Sequence, residues 1–493
     1  MKPKQTALVA LVLIVSLLYQ CNVKEKETSV FITKLSNSQK VLNDSVQISY
    51  LPKLRFEYLL QSKLDSDGDL TAKLEIRQPT LATISLGSKS AKIFLKPGES
   101  LSLTFDSTSG FNFRNATGTL GHFNNHLNQT LKILNTRELI EKAPDEFFIS
   151  LDSIEQTMNS HATAFRDSIK LSSEDIEILD RLFNLSLQEA KISYAFMHQT
   201  NALVEQIYAF REGRMIIEYQ PPKVVSDLWS NFAFDTTMLN SYVYGEVYKQ
   251  ILWSYSETRF RPFDVKQWNN PNPDNALITA NLIRDKTLPK AITEYLQALN
   301  IQENLREQGI NKVTDSIYRN FETEFPQSKY SATLSTVFTK QGTLSKGKTA
   351  PNIRGNKIAG TVANLTDFKG RVVYIDVWAT WCAPCVEEIP YSIELQNYFK
   401  DDSNIIFLNV SADKNVEEWK RKITIEKNWG GVHINLNKAQ IDSLGLNYEL
   451  TGYPTYILID KDGKIITTRA QRPSSTQEIK TELERLSKTR TSF

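Results

Sequence analysis

Cys382 and Cys385 stand two residues apart in Trp378-Ala-Thr-Trp-Cys-Ala-Pro-Cys385, directly after the apolar run Arg371-Val-Val-Tyr-Ile-Asp-Val377. A short run of that kind suits a strand buried on both faces. Pro384 suits the first turn of a helix, where its missing N–H costs no intrahelical bond. A cysteine pair at a strand-to-helix turn can close and open a small disulfide ring. The unpaired amides and dipole of the helix start stabilise a thiolate, the attacking species. The spacing therefore predicts Cys382 as the exposed nucleophile at the helix N-terminus. Cys385, one turn further in, is predicted as the shielded resolving thiol. Other uses of the pair fit less well. A structural zinc site needs about four ligands, and the third cysteine, Cys21, is remote. Haem attachment needs a histidine where Val386 stands. A purely structural disulfide usually closes a longer loop.

The surrounding pattern alternates strands and helices. Ile405 to Val410 and Pro454-Thr-Tyr-Ile-Leu-Ile459 read as further strands, and Asp462-Gly463 reads as a turn into a strand over Lys464 to Thr468. Val416, Trp419 and Ile423 lie on one face of a helix, with Glu417 and Arg421 four apart on another.

These residues resemble the thioredoxin superfamily. The motif WCAPC followed by Glu387-Glu388-Ile389-Pro390 is similar to the TlpA/ResA-like membrane-anchored thiol-disulfide oxidoreductases. The resemblance implies an α/β thioredoxin fold over 346–490. It implies that Asp376, six residues before Cys382, is the buried acid that helps move the proton of the inner cysteine. It makes Glu388 the acidic residue kept near the active site, a solvated helix carboxylate being the alternative. Pro454 matches the family's cis-proline, and Tyr453 would offer backbone hydrogen bonds to a substrate strand. Trp381 would form a flat apolar platform beside Cys382, and Pro390 would kink the helix. The activity implied is disulfide exchange with protein substrates, as a reductant fed by a membrane electron carrier. A disulfide oxidase or isomerase is the alternative direction, and a peroxidase a third reading. No cofactor is expected beyond the redox-active Cys382–Cys385 pair, and no metal.

The N-terminus reads as an export signal over 1–20. Lys2 and Lys4 precede Ala7 to Tyr19, an apolar stretch broken only by Ser16. As a helix it rises about 20 Å, short of the roughly 30 Å hydrocarbon core, so it suits a signal-peptide core. Leu18-Tyr19-Gln20-Cys21, followed by polar residues, resembles a bacterial lipoprotein signal, which implies lipidation at Cys21. Ordinary cleavage and an uncleaved anchor are the alternatives. The body of the protein is then expected in the cell envelope, facing the periplasm and held to a membrane by lipid.

At roughly 150 residues per domain, 493 residues suggest about three domains. Residues 30–120 read as a β-rich domain. Leu74-Glu75-Ile76, then Ala82, Ile84 and Leu86, then Leu101, Leu103 and Phe105 alternate with polar residues. Asp67-Gly68 and Pro97-Gly98 supply turn signals, and the acidic residues Asp65, Asp67 and Asp69 suit a hairpin turn better than a calcium loop. This region resembles the β-rich N-terminal domain of multidomain envelope members of the same family. Residues 121–340 read as an α-helical domain. Ser172 and Asp175 form a capping-box pattern ahead of Ile176, Leu179, Phe183, Ala190, Tyr194 and Met197. A second helical run spans Lys290 to Phe325 with a break at Gly309, and Trp268 to Asn275 reads as a loop. The tyrosines and tryptophan at 242–255 suit core packing better than a groove. His122 and His126 could share a helix face as metal ligands, but lack a third partner. Thr339 to Gly355 is polar and reads as the linker or the entry segment to the last domain.

Charge excludes one class. With 58 basic and 56 acidic residues there is no bulk field to recruit nucleic acid. The long segment before the cysteine pair leaves a second role open, a lipoprotein whose N-terminal half binds a client or envelope partner.

Overall fold

Period-two burial organises the N-terminal part. The computed structural model describes residues 27–488 apart from 36–44, 51–56, 64, 66–68, 87–88, 107–112, 135–137, 140, 169–170, 212–213, 215–221, 231, 261–273, 285–287 and 451. The apolar leader, Cys21 and Trp268 to Pro273 of the expected loop lie outside the described residues. Strands β1 (Glu27–Leu35), β4 (Leu70–Glu75), β7 (Ser100–Asp106) and β8 (Phe113–Thr117) form one sheet in the order β4-β1-β7-β8. Strands β2 (Ser45–Tyr50), β3 (Glu57–Lys63), β5 (Thr80–Leu86) and β6 (Lys89–Leu95) form another in the order β3-β2-β5-β6. Leu74, Leu101 and Leu103 are buried in the first, and Val46, Ile48, Ala82 and Ile84 in the second.

The expected hairpin at Asp67-Gly68 needs correction. Its flanking strands β3 and β4 belong to different sheets and do not pair with each other; Asp67 and Gly68 themselves lie outside the described residues. Pro97-Gly98 likewise joins β6 to β7 across sheets. A turn signal reports a local reversal and does not name the strand that pairs next.

Helix α1 (Gly121–Ile133) ties the two sheets through adjacent asparagines. The Asn124 amide bonds both backbone groups of Phe94 on edge strand β6, accepting at 2.8 Å and donating at 3.0 Å. The Asn125 amide does the same for Ala116 on edge strand β8, at 2.7 Å each way. Each asparagine thereby occupies the free backbone groups of one residue on a sheet edge, where an outside strand would otherwise pair. The next residue, His126, is buried, with its ring stacked on Phe165 at 3.8 Å, while His122 is exposed. Burial, then His161, pushes His126 down to about 4. Among the described residues no cluster of three or more His, Cys, Asp or Glu could hold a metal.

Helices α2 (Pro144–Ser168), α3 (Ser173–Arg211), α4 (Lys223–Ser230) and α5 (Gly245–Arg259) follow. The serine half of the expected capping box forms, with Ser172 Oγ accepting from the Asp175 amide at 3.1 Å, while the Asp175 carboxylate accepts the Ser172 hydroxyl at 2.7 Å. Tyr248 and Tyr255 are core residues, whereas Tyr242 is exposed. Then come α6 (Asn275–Arg284), α7 (Lys290–Gln308), α8 (Lys312–Glu324) and α9 (Ser331–Thr343). The break falls at Gly309, the C-cap of α7, with φ 68°.

The chain divides into two compact units. One comprises Met1–Ala202 with Tyr219–Arg259, the other Leu203–Glu218 with Phe260–Phe493. The second unit thus contains α6 to α9 together with the C-terminal sheet. Residues 347–350 enter the last domain along the outside of its sheet. Gly347 donates to the Ile465 carbonyl at 2.7 Å, Ile465 to that of Lys348 at 2.8 Å, and Ala350 to that of Gly463 at 3.0 Å. A polar composition suits this outermost edge.

The C-terminal sheet contains β9 (Arg354–Lys357), β10 (Val362–Asn364), β11 (Val372–Trp378), β12 (Ile405–Ser411), β13 (Val432–Asn435), β14 (Thr455–Ile459) and β15 (Ile465–Thr467). Their order is β10-β9-β13-β12-β11-β14-β15. Every residue of β11 is buried. Val373, Ile375 and Val377 pack on one face beside Leu444 and Tyr448 of α12 (Lys438–Tyr448). On the other face, Tyr374 meets Leu395 of α10 (Ala383–Tyr398) and Ile479 and Leu483 of α13 (Thr476–Ser487). Helix α11 (Val416–Ile425) contributes Trp419 beside the cysteines. At about 1.5–3 kcal/mol per fully buried aliphatic side chain, this two-sided burial fixes the strand that ends at the cysteine turn. The β-rich, helical and thioredoxin-like parts expected from sequence are all present.

Candidate active site

Trp378 ends β11, and the chain turns through Ala379 to Trp381 before α10 begins. Cys382 is the N-cap of α10, with extended backbone at φ −89° and ψ 98°. Its sulfur accepts the Cys385 amide N–H at 3.3 Å. Cys382 and Cys385 are joined as a disulfide, their Cα atoms 5.2 Å apart. Pro384 stands in the first turn, and the helix continues through Pro390, which cannot donate to the Val386 carbonyl.

The expected contrast in exposure is small. Cys382 is 6% exposed and Cys385 3%. The reason is the apolar cluster around them, formed by Trp378, Ile389, Trp419 and Trp429, with Tyr453 packed against it. Trp381 projects outward instead, 66% exposed. Its ring meets Tyr453 edge to face, centroids 5.6 Å apart. The Tyr453–Pro454 peptide is cis. The structure thus brings together Trp381, Cys382, Cys385 and Tyr453.

Asp376 is buried in β11, between Asn409 of β12 and Tyr456 of β14. Strand alternation puts it on the same face as Tyr374 and Trp378. Burial, and then the charge of Glu388, pushes its carboxyl up to about 8. Its Oδ1 has no hydrogen-bond partner among the described residues. Burial first, and then the same two carboxyl groups, raise the tyrosines beside them, Tyr374 and Tyr456.

Glu388 is a buried carboxylate, one turn beyond Cys385, and not a solvated one. Its Oε2 accepts the Ser474 amide N–H at 3.0 Å and its Oε1 the Ser474 hydroxyl at 2.7 Å. Arg472 approaches the same Oε1 at 3.9 Å. Helix α10 is thereby fastened to the loop between β15 and α13.

A further buried acid was not anticipated from sequence. Asp413, just past β12, accepts the Thr380 amide at 3.0 and 3.1 Å through its two oxygens and the Thr380 hydroxyl at 2.7 Å. The Ser411 hydroxyl adds a bond at 2.8 Å, and Asn435 donates to the Asp413 carbonyl at 2.9 Å. This network braces the turn two residues before Cys382. The only local sign is a polar Ser-Ala-Asp ending an apolar strand, and nothing in it names Thr380 as the partner. Ser474 and Arg472 carried no sign either.

A redoxin family model matches residues 345–483. The thiol-disulfide oxidoreductase ResA of Bacillus thuringiensis subsp. konkukian is 36% identical over 135 residues, 26% of this chain and 72% of that protein. ResA of Geobacillus thermodenitrificans is 33% identical over 130 residues, 26% of this chain and 71% of that protein. Among solved structures, the thioredoxin domain of a thiol-disulfide oxidoreductase from Bacteroides vulgatus is 31% identical, covers 28% of this chain and 99% of that chain, and superposes with a TM-score of 0.27. Through its C-terminal domain, this chain belongs to the ResA-like thiol-disulfide oxidoreductases of the thioredoxin superfamily.

Proposed function

We propose that the chain reduces disulfides in protein substrates outside the cytoplasm, with Cys382 as nucleophile and Cys385 as resolving thiol. The observation that carries this reading is the bond from the Cys385 amide to the Cys382 sulfur at the helix start. In the reduced protein that amide and the helix dipole favour a thiolate on Cys382. The thiolate attacks one sulfur of a substrate disulfide, a mixed disulfide forms and the first substrate thiolate leaves. Cys385 then loses its proton and attacks the Cys382 sulfur, which closes the internal disulfide and releases the second substrate thiolate. Two electrons pass to the substrate, and a membrane electron carrier of dithiol chemistry returns the pair to the reduced form. The chain itself supplies the redox group.

Asp376 is assigned to the proton of Cys385, since a carboxyl that titrates near 8 exchanges protons with a thiol at neutral pH. Glu388 acts beside it, raising the Asp376 proton affinity and holding α10. Trp381, Tyr453 and Pro454 form the substrate-docking surface. Substitution of Cys385 by Ser in the full chain should trap substrates covalently on Cys382, and Cys382→Ser should trap none. A Cys385→Ser protein that accumulates no adducts in cells sinks the reading.

Envelope attachment rests on Lys2, Lys4, the apolar leader and Cys21. Among the described residues no helix is long and apolar enough to cross a membrane. Incorporation of labelled fatty acid that disappears in Cys21→Ser tests the anchor. Direction is tested by redox titration, because such motifs span about −270 to −120 mV. A value near the upper end favours the oxidase or isomerase.

A further inference from the structure

The ResA relatives match only the C-terminal quarter of this chain, yet the redox unit also contains helices α6 to α9. Arg469 shows what joins them. It follows β15, and its guanidinium donates to three carbonyls: that of Thr468 at 2.7 Å, that of Arg306 at 2.7 Å and that of Glu449 at 3.0 Å. Arg306 lies in the last turn of α7, where carbonyls lack intrahelical partners. Glu449 is the C-cap of α12. One cation therefore caps the negative ends of two helices, one from the added helical segment and one from the thioredoxin fold.

Glu449 is also in left-handed backbone, φ 49° and ψ 50°, a region that non-glycine residues hold only where neighbours enforce it. A second tie reaches the same residue from the helical segment. Buried Gln341 of α9 donates to Glu449 Oε2 at 3.4 Å. Four residues beyond Glu449 stands Tyr453, against Trp381 and the cysteine cluster. Five residues beyond Arg469 stands Ser474, which holds Glu388.

We propose that Arg469 is a positioning residue through which helices α7 and α9 set the Tyr453 loop for protein substrates. The inference rests on the disulfide-reductase reading above. Loss of the clamp frees Glu449 and widens the range of loop positions, so a large substrate that docks on the loop binds less well. A small disulfide that needs only the Cys382 sulfur reacts as before.

The test uses the full chain with dithiothreitol as reductant, and compares insulin with hydroxyethyl disulfide. Arg469→Met should raise KM for insulin about fivefold to tenfold, with kcat and the hydroxyethyl disulfide rate within about twofold of the parent. Arg469→Lys keeps the charge but reaches fewer carbonyls, and should fall between the two. Should Arg469→Met not fold, Gln341→Leu reads the same coupling, with an expected KM rise of about twofold to threefold. An insulin KM unchanged in whichever of these folds, or a parallel loss on both substrates, overturns the inference. If the parent chain reduces neither substrate, it is the reductase reading that fails.

Discussion

From strand and helix respectively, Asp376 and Glu388 bring two carboxyl groups into one buried region, where the charge of Glu388 adds to burial in holding the proton on Asp376. This pairing has a pH signature. Unfolded, an aspartate ionises near 3.9, whereas the folded carboxyl keeps its proton up to about 8. Between those values the folded chain binds more protons than the unfolded one. Stability must therefore fall as pH rises through this window, and the loss is complete above it. At about 1.4 kcal/mol per unit, the effect is several kcal/mol at most. Hydrogen exchange of the β11 amides reads this unit alone. The parent should lose protection from pH 4.5 to 8, and Asp376→Asn should not. Parallel profiles for the two proteins would remove the assignment.

Glu388 can be separated into its charge and its bonds. Glu388→Gln removes the charge that raises Asp376, so the upper edge of the pH window should move below 8. It also leaves one Ser474 donor facing an NH2 group, at a cost of about 1–3 kcal/mol. Ser474→Ala keeps the charge and deletes one bond, costing about 1 kcal/mol with the window unmoved. A window that shifts equally in both variants would mean that geometry, not charge, sets the Asp376 titration.

What could be read from sequence follows how local each cause is. The cysteine turn was legible because an apolar strand, a proline in the first helical turn and two thiols lie within a dozen residues. The burial of Asp376 was legible from the apolar run that holds it, while its role was implied only by the family resemblance. The anchoring of Glu388 was not legible, because its partner Ser474 lies 86 residues away in the chain. The even exposure of Cys382 and Cys385 reflects Trp419 and Trp429 arriving from distant segments. The hairpin at Asp67-Gly68 failed because strand partners are chosen by the whole sheet. Between linker and entry segment, composition could not choose for 347–350, because an outer sheet edge needs backbone groups and few apolar side chains.

Asp413 should be the most costly polar residue of the site to truncate. Its carboxylate holds the amide and hydroxyl of Thr380 and the hydroxyl of Ser411. Asp413→Ala strands those donors in a buried setting and should cost about 2–4 kcal/mol. Thr380→Ala removes one hydroxyl and should cost about 1 kcal/mol. Hydrogen exchange at β11 and β12 measures both. Equal costs would show that the carboxylate does not brace the turn through the Thr380 backbone.

Trp381 separates docking from folding most clearly. At 66% exposure its ring contributes little to the core, so Trp381→Ala should change stability by no more than about 0.5 kcal/mol. The exposed ring beside Tyr453 is nevertheless the kind of aromatic anchor that dominates protein contacts, where truncation costs about 2 kcal/mol or more. KM for insulin should therefore rise by a factor of about thirty or more, while hydroxyethyl disulfide turnover changes far less. The edge-to-face contact makes Tyr453 part of the same anchor, and the double variant with Tyr453→Ala should show a coupling of about 0.5–1.5 kcal/mol in log KM. Strictly additive losses would mean that the two rings meet the substrate independently, and an unchanged KM in both single variants would place the docking surface elsewhere.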